Sequence, residues 1–264
     1  MNVKKYCIIF IFATPVSLCY GQGDTLHSKS RFYFNASVGF VSPELSFGIA
    51  PGFYDNNLNN FGQDGYAETG IGASLSATYL SDNTPLGLTC LANYYYNGLS
   101  TDSYVAQVDN FRLNHFRAMG GTGYRQMGIL GGVTLSTLGR ESWIDLKILA
   151  GFMFCSSPYV ADSGHVDNYA GTLIPNGPDI IQPSNKLVPA WGLGIEVRPC
   201  LLKHVLFLFN TDFIITKPIF HTSQQITYYN TGTNSNITLS TPYQYQLDIT
   251  TLYVSIGIAI KMGN

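Results

Sequence analysis

Trp191-Gly192-Leu193-Gly194-Ile195-Glu196-Val197-Arg198 holds two sequences in one. Every second residue gives Trp, Leu, Ile and Val, and the residues between them give Gly, Gly, Glu and Arg. Two is the side-chain period of a β-strand, whose successive residues point to opposite faces. The stretch therefore predicts a strand with one large apolar face and one face that is small or charged.

Seven more segments repeat the pattern. Arg31–Val41 sets Phe32, Phe34, Ala36, Val38 and Phe40 against Tyr33, Asn35, Ser37 and Gly39, and Tyr66–Leu80 sets Ile71, Ala73, Leu75, Ala77 and Tyr79 against Gly70, Gly72, Ser74, Ser76 and Thr78. Leu86–Asn97, Tyr124–Thr137 and Ser142–Phe154 follow, the last with Ile144, Leu146, Ile148, Ala150 and Phe152 opposite Asp145 and Lys147. Leu187–Pro199 contains the opening octet. His204–Lys217 is noisier, with Asn210 and Asp212 on the wet face of an otherwise apolar strand, and Gln246–Met262 ends the series with Val254, Ile256, Ile258 and Ile260 opposite Ser255, Gly257, Ala259 and Lys261.

The connections between these eight segments alternate in length. Ser81–Pro85, Leu138–Glu141 and Pro199–Lys203 are short, whereas the connections after the first, third, fifth and seventh segments each exceed twenty residues. Loops of that length are uncommon in compact soluble domains. Strict alternation sends all the long ones from one end, as in outer-membrane barrels with short periplasmic turns and long extracellular loops.

A soluble β-sandwich also alternates, so the occupants of the second face decide. In a sandwich that face meets water and is rich in Lys, Glu and Arg; here it is mostly Gly, Ser, Thr and Ala, which suit the crowded interior of a small barrel. Closure also removes the edges that such apolar strands would expose. The expected fold is all-β, an eight-stranded antiparallel up-and-down transmembrane β-barrel, filled mainly by small residues. Phe40, Tyr94, Tyr96, Phe152, Phe154, Trp191 and Phe213 are expected in an outer aromatic girdle, with Phe32, Tyr79 and Phe207 in an inner one.

Composition agrees with this reading. Charged residues make up 11% of the chain, against ~25% in ordinary soluble proteins. Met1-Asn2-Val3-Lys4-Lys5, the apolar run to Ala13 and the small Gly21 form a secretory signal, so residues 1–21 are expected to be removed and 22–264 to form the barrel domain. A lipoprotein signal at Cys19 is disfavoured by Leu18, which is not small. The mature chain would then carry twelve basic and sixteen acidic residues, a balance that argues against nucleic acid as a partner. Cys90, Cys155 and Cys200 are odd in number and lack CxxC spacing, which points to neither a disulfide framework nor a zinc site.

The Gly-rich strands GILGGVTLS (Gly128–Ser136), ILAGFMF (Ile148–Phe154), WGLGIEVR (Trp191–Arg198) and YVSIGIAIKM (Tyr253–Met262) resemble the outer membrane protein beta-barrel domain family, small porin-like barrels common in Bacteroidetes. The resemblance covers nearly the whole mature chain and implies a location in the outer membrane with both termini periplasmic. For some relatives it implies a place in a secretion or assembly complex. One departure is the ending Lys261-Met262-Gly263-Asn264, where such barrels usually finish on an aromatic residue.

The chemistry that stands out is charge facing inwards. Asp145 and Lys147 neighbour Glu196 and Arg198 on the next strand, with Lys261 at the same end, and buried charges must be paired. A salt-bridged plug is expected, as structural packing rather than a gate or proton path. Asp55-Asn56-Asn57-Leu58-Asn59-Asn60 begins like a calcium loop but has Asn60 and Tyr66 where Gly and Glu belong. Asp162, His165, Asp167 and Asp179 share no metal spacing, and a polar loop accounts for them. His115, His165 and His221 accompany no GxSxG nucleophile motif, and Gly192-Leu193-Gly194 precedes no helix, so no cofactor, metal or catalytic site is assigned. The expected role is non-enzymatic, structural or interactive, through the long loops to another outer-membrane or extracellular protein, with outer-membrane lipid as surroundings. The alternatives are a narrow channel for small solutes and a subunit of a secretion or assembly complex.

Overall fold

The computed structural model describes residues 31–44, 47, 67–81, 85–100, 117–136, 144–163, 173–175, 179–199 and 204–262. The signal peptide assigned to residues 1–21 lies outside them. Fourteen strands are present among the described residues: β1 (Arg31–Glu44), β2 (Gly70–Leu80), β3 (Leu86–Asn97), β4 (Arg117–Gly121), β5 (Tyr124–Ser136), β6 (Ile144–Ser156), β7 (Val160–Ser163), β8 (Leu173–Pro175), β9 (Asp179–Ile181), β10 (Asn185–Val197), β11 (Val205–Thr216), β12 (Ile219–Asn230), β13 (Ser235–Gln246) and β14 (Ile249–Met262). Eight of them close an antiparallel barrel in the order β1-β14-β11-β10-β6-β5-β3-β2. These eight correspond to the eight alternating segments.

The strand pairings fix the size of the barrel. Passing from partner to partner, Leu187 faces Phe154, then Met127, Tyr94, Ala73, Val38, Ile256, Phe209 and finally Val197, ten residues along the strand it left. With ~4.8 Å between strands and ~3.3 Å per residue, that stagger tilts the strands by about 40° and gives a backbone radius of about 8 Å. A thirteen-residue strand such as β6 then rises roughly 32 Å along the axis, enough to cross an apolar layer of ~25–30 Å.

The outside of the barrel is what the apolar faces predict. Phe40, Ile71, Leu88, Ile129, Ile148, Trp191 and Ile256 are among its exposed residues, each more than 60% exposed. A soluble monomer rarely shows an apolar patch above a few hundred Å², and this one runs around all eight strands. The barrel spans a membrane with its strands. Phe40, Tyr94, Phe152, Phe154 and Trp191 all point outwards, and Phe32 and Tyr79 face one another across β1 and β2 at the end where the chain enters the barrel.

Two expectations need correcting. The lumen is not filled mainly by small residues, because Leu91, Tyr95, Leu130, Leu149, Met153, Ile214 and Tyr253 also point inwards and are buried. They sit on the face opposite an apolar exterior, so their strands are apolar on both faces over part of their length. The long connections are also more than polar loops. They contribute β4, β7, β8, β9, β12 and β13 to a second sheet, ordered β13-β12-β9-β7-β4 with β8 also on β12.

The best defined part of that sheet is the hairpin β12–β13. Thr216 of β11 faces Ile249 of β14, and Ile219 of β12 faces Gln246 of β13, so one uninterrupted register runs from the barrel wall into the hairpin. Lys217 and Asp248 bridge the junction with an exposed ion pair of 2.8 Å. At the tip, the Asn230 Oδ1 accepts from the backbone N–H groups of Gly232 (2.9 Å) and Thr233 (3.3 Å), and Asn234 takes the left-handed conformation with φ 53°, which Asn tolerates.

Candidate functional site

The interior is layered. At the end bearing the short turns lies a floor of charge. Asp145 and Lys147 enter β6 there, Glu196 and Arg198 leave β10 there, and Glu196 is the direct cross-strand partner of Asp145. Arg198 pairs with Asp145 and reaches Glu196 at 3.4 Å, and its guanidinium lies 3.9 Å from the centroid of the Tyr33 ring on β1. Lys147 pairs with Glu196 at 3.3 Å and Asp212 at 2.9 Å. All five charged side chains are buried.

Three carboxylates therefore face two cations, and amides supply the remaining donors. Asn35 donates to Glu196 at 2.9 Å from β1, and Asn210 donates to Asp212 at 2.5 Å while accepting from Lys147 at 2.6 Å. Charge-assisted hydrogen bonds of this kind hold buried carboxylates in place of water. The network joins β1, β6, β10 and β11 across the lumen.

Gly194 makes the central ion pair possible. Its cross-strand partners are Lys147 on one side and Asp212 on the other, so the pair closes over it. A Cβ at this position would overlap the Asp212 carboxylate and stand 2.7 Å from Lys147 Cε.

Above the floor is a hydroxyl layer. Ser37 bonds Ser74 at 2.8 Å and the Tyr253 hydroxyl at 3.2 Å, and accepts from Ser255 at 3.0 Å. Above that the lumen is mainly apolar, around a buried polar chain in which Gln126 donates to Asn97 and accepts from Thr251, each at 3.4 Å. Tyr95 and Tyr253 pack with ring centroids 5.0 Å apart, Phe47 packs edge-on against Tyr124 at 5.0 Å, and Phe220, Leu247 and Ile249 from the base of the hairpin join the same buried cluster.

The structure thus brings together four of the five charges singled out in the sequence. Lys261 stands apart, half-buried and facing Tyr33 across the sheet, and it belongs to none of the ion pairs described above. Sequence reasoning did not connect Asp212, Asn210, Asn35 and Tyr33 to the cluster. Asn210 and Asp212 gave a signal as polar residues interrupting an apolar strand, but Asn35 reaches Glu196 across the lumen, a contact that strand order alone does not show. Residues 55–60, His115, His165 and Asp167 lie outside the described residues, as do the side chains of Asp162 and Asp179. His221 is exposed on β12. Among the described residues no three His, Cys, Asp or Glu side chains are arranged to hold a metal ion.

No protein-family model and no curated protein matches the chain. Among solved structures it is similar to a major outer membrane protein from Thermus thermophilus, at 12% identity and a TM-score of 0.43, over 89% of this chain and 100% of that one. It is similar to Ail, the attachment invasion locus protein of Yersinia pestis, at 11% identity and a TM-score of 0.40, over 90% and 100%. It is also similar to the outer membrane protein OprG from Pseudomonas aeruginosa, at 12% identity and a TM-score of 0.41, over 90% and 98%.

Proposed function

We propose that this is a non-enzymatic outer-membrane barrel, closed through its middle, that works through the sheet it carries above one rim. The observation behind this reading is the packing of the lumen. Inward side chains from Asp145 and Arg198 on the floor, through Ser37 and Ser255, to Tyr95, Met153 and Tyr253 are all buried, which leaves no open bore past them for a solute. A sealed barrel is a scaffold, and binding residues concentrate on the connections a rigid scaffold holds.

In this reading both termini and the short turns are periplasmic. Residues 22–264 form the single mature domain, and the second sheet faces outwards to an extracellular or outer-membrane protein. Membership of the Bacteroidetes barrel family to which the Gly-rich strands are similar is part of the same proposal.

Planar-bilayer recording tests it. The folded protein should add no stepwise conductance. Steps that disappear on Lys147→Met or Arg198→Met would instead make the lumen a narrow channel gated by its charges.

A further inference from the structure

Below the floor the inner wall of the barrel carries more charge. Lys261 on β14 faces Tyr33 on β1. On its other side its N–H donates at 2.9 Å to the carbonyl of His204, the residue just before β11. Cross-strand neighbours leave a sheet on the same face, so Tyr33, Lys261 and His204 share one. Arg31 lies two residues before Tyr33 and shares it too. That face lines the lumen higher up, through the buried Asn35, Ala259 and Leu208. Arg31, Lys261 and His204 thus stand on three adjacent strands at the mouth bearing the short turns, all within about 10 Å at ~4.8 Å per strand.

Basic groups this close repel one another unless an anion lies between them. Among the described residues, none of the three side chains takes part in an ion pair or a hydrogen bond. The carboxylates at this end are already engaged, Asp145 by Arg198 and Glu196 by Lys147. Arg198 lies over the ring of Tyr33, the cross-strand partner of Lys261, so a fourth cation backs the three. On the far side of the mouth the inward residues Leu80 of β2 and Ser136 of β5 carry no charge. With the buried floor above, the mouth is a shallow cup with one basic wall.

The three side chains offer a guanidinium fork, an ammonium and an imidazole N–H. A tetrahedral oxyanion can present an oxygen to each of them, where a planar carboxylate has only two. The basic wall faces into the mouth and away from the surrounding membrane, so a soluble anion can reach it and a lipid headgroup in the bilayer cannot.

We infer that Arg31, His204 and Lys261 form a binding site for a soluble phosphate group, either inorganic phosphate or a phosphomonoester. On the orientation proposed above the cup opens to the periplasm. That placement alone rests on the earlier reading, and the site does not.

The test uses the folded chain in phosphatidylcholine nanodiscs, where both mouths are accessible, with inorganic phosphate as the probe. Titration calorimetry should show saturable binding of one phosphate per barrel, weakening as salt rises. Backbone amide shifts should move at Arg31, His204 and Lys261 and stay fixed in β12. Arg31→Met and Lys261→Met should each weaken binding about tenfold while keeping native gel mobility, because neither side chain holds the fold together. Lys261→Arg should bind as the parent does, and so should Lys186→Met, which removes an inward lysine near the opposite mouth. Absence of saturable binding by a barrel of native mobility, or an equal loss in Lys186→Met, would overturn the site. The same amide shifts on adding phosphatidylglycerol without phosphate would make the ligand a lipid headgroup and overturn its solubility. An impermeant maleimide should label His204→Cys above the parental background only after the outer membrane is permeabilised. Labelling of intact cells would overturn the orientation and leave the anion site standing.

Discussion

Replacing Gly194 by alanine adds one methyl group beneath the Lys147–Asp212 pair. That methyl would overlap the Asp212 carboxylate and lie 2.7 Å from Lys147 Cε. Restoring ordinary contact moves the carboxylate back by about 1 Å, which stretches the 2.9 Å pair towards 4 Å. At an effective dielectric of ~20 the lost attraction is roughly 1.5–2 kcal/mol, and overpacking in a rigid interior adds about 1–2 kcal/mol. Asp212 also bonds Asn210, so it cannot retreat freely. The expected loss is about 3 kcal/mol. Urea unfolding in lipid vesicles, followed by the fluorescence of Trp143 and Trp191, would measure it, with heat-modifiable gel mobility as a check that the barrel has closed. Gly131→Ala is the control, since a Cβ there meets only the Thr89 carbonyl at 3.9 Å and should change stability by less than ~0.5 kcal/mol. If the two variants agree within that margin, the close-packed ion pair over Gly194 does not exist.

Lys147→Met leaves Glu196 and Asp212 without their shared cation and should destabilise the fold by about 3–5 kcal/mol in the same assay, with most of the loss recovered when Glu196→Gln and Asp212→Asn are added. Ile256→Arg puts a charge on the lipid face near mid-strand and should lower stability by roughly 2–4 kcal/mol, whereas Leu239→Arg on the hairpin should leave it within ~0.5 kcal/mol. Asn230→Ala removes the acceptor that shapes the hairpin tip and should speed amide exchange in β12 and β13 several-fold, with β11 and β14 unchanged.

Most of the barrel was legible because membrane and lumen impose opposite demands on alternate residues. Val254, Ile256, Ile258 and Ile260 must be apolar to meet lipid, and the residues between them must share a narrow interior, so period two survives even where Leu149 or Met153 blurs the contrast. Asp145, Lys147, Glu196 and Arg198 could be associated because their strands are neighbours in the alternating series. The rest of the floor was not legible because it depends on register and on crossing the lumen. Gly194 reads as one more small residue until Lys147 and Asp212 are seen on its two sides. The second sheet was missed for another reason: β12 and β13 bury little, so no apolar period marks them. Asn230-Thr231-Gly232-Thr233-Asn234, a turn signal between two runs rich in Thr, Tyr and Ile, was the one cue that could have found the hairpin.

The uninterrupted register from β11 through β12 and β13 to β14 also bears on how the barrel is made. A connection of thirty-two residues between neighbouring strands looks like a slow step, because long loops lose more entropy on closing. Here the chain need close only the four residues of the tip, 231–234, and the remaining pairs can zip downwards from it. The hairpin thus acts as a template that delivers β14 to β11 already in register. β14 is then held ready for β1, the pairing that joins the two ends of the barrel and closes the longest stretch of chain between any two of its neighbouring strands.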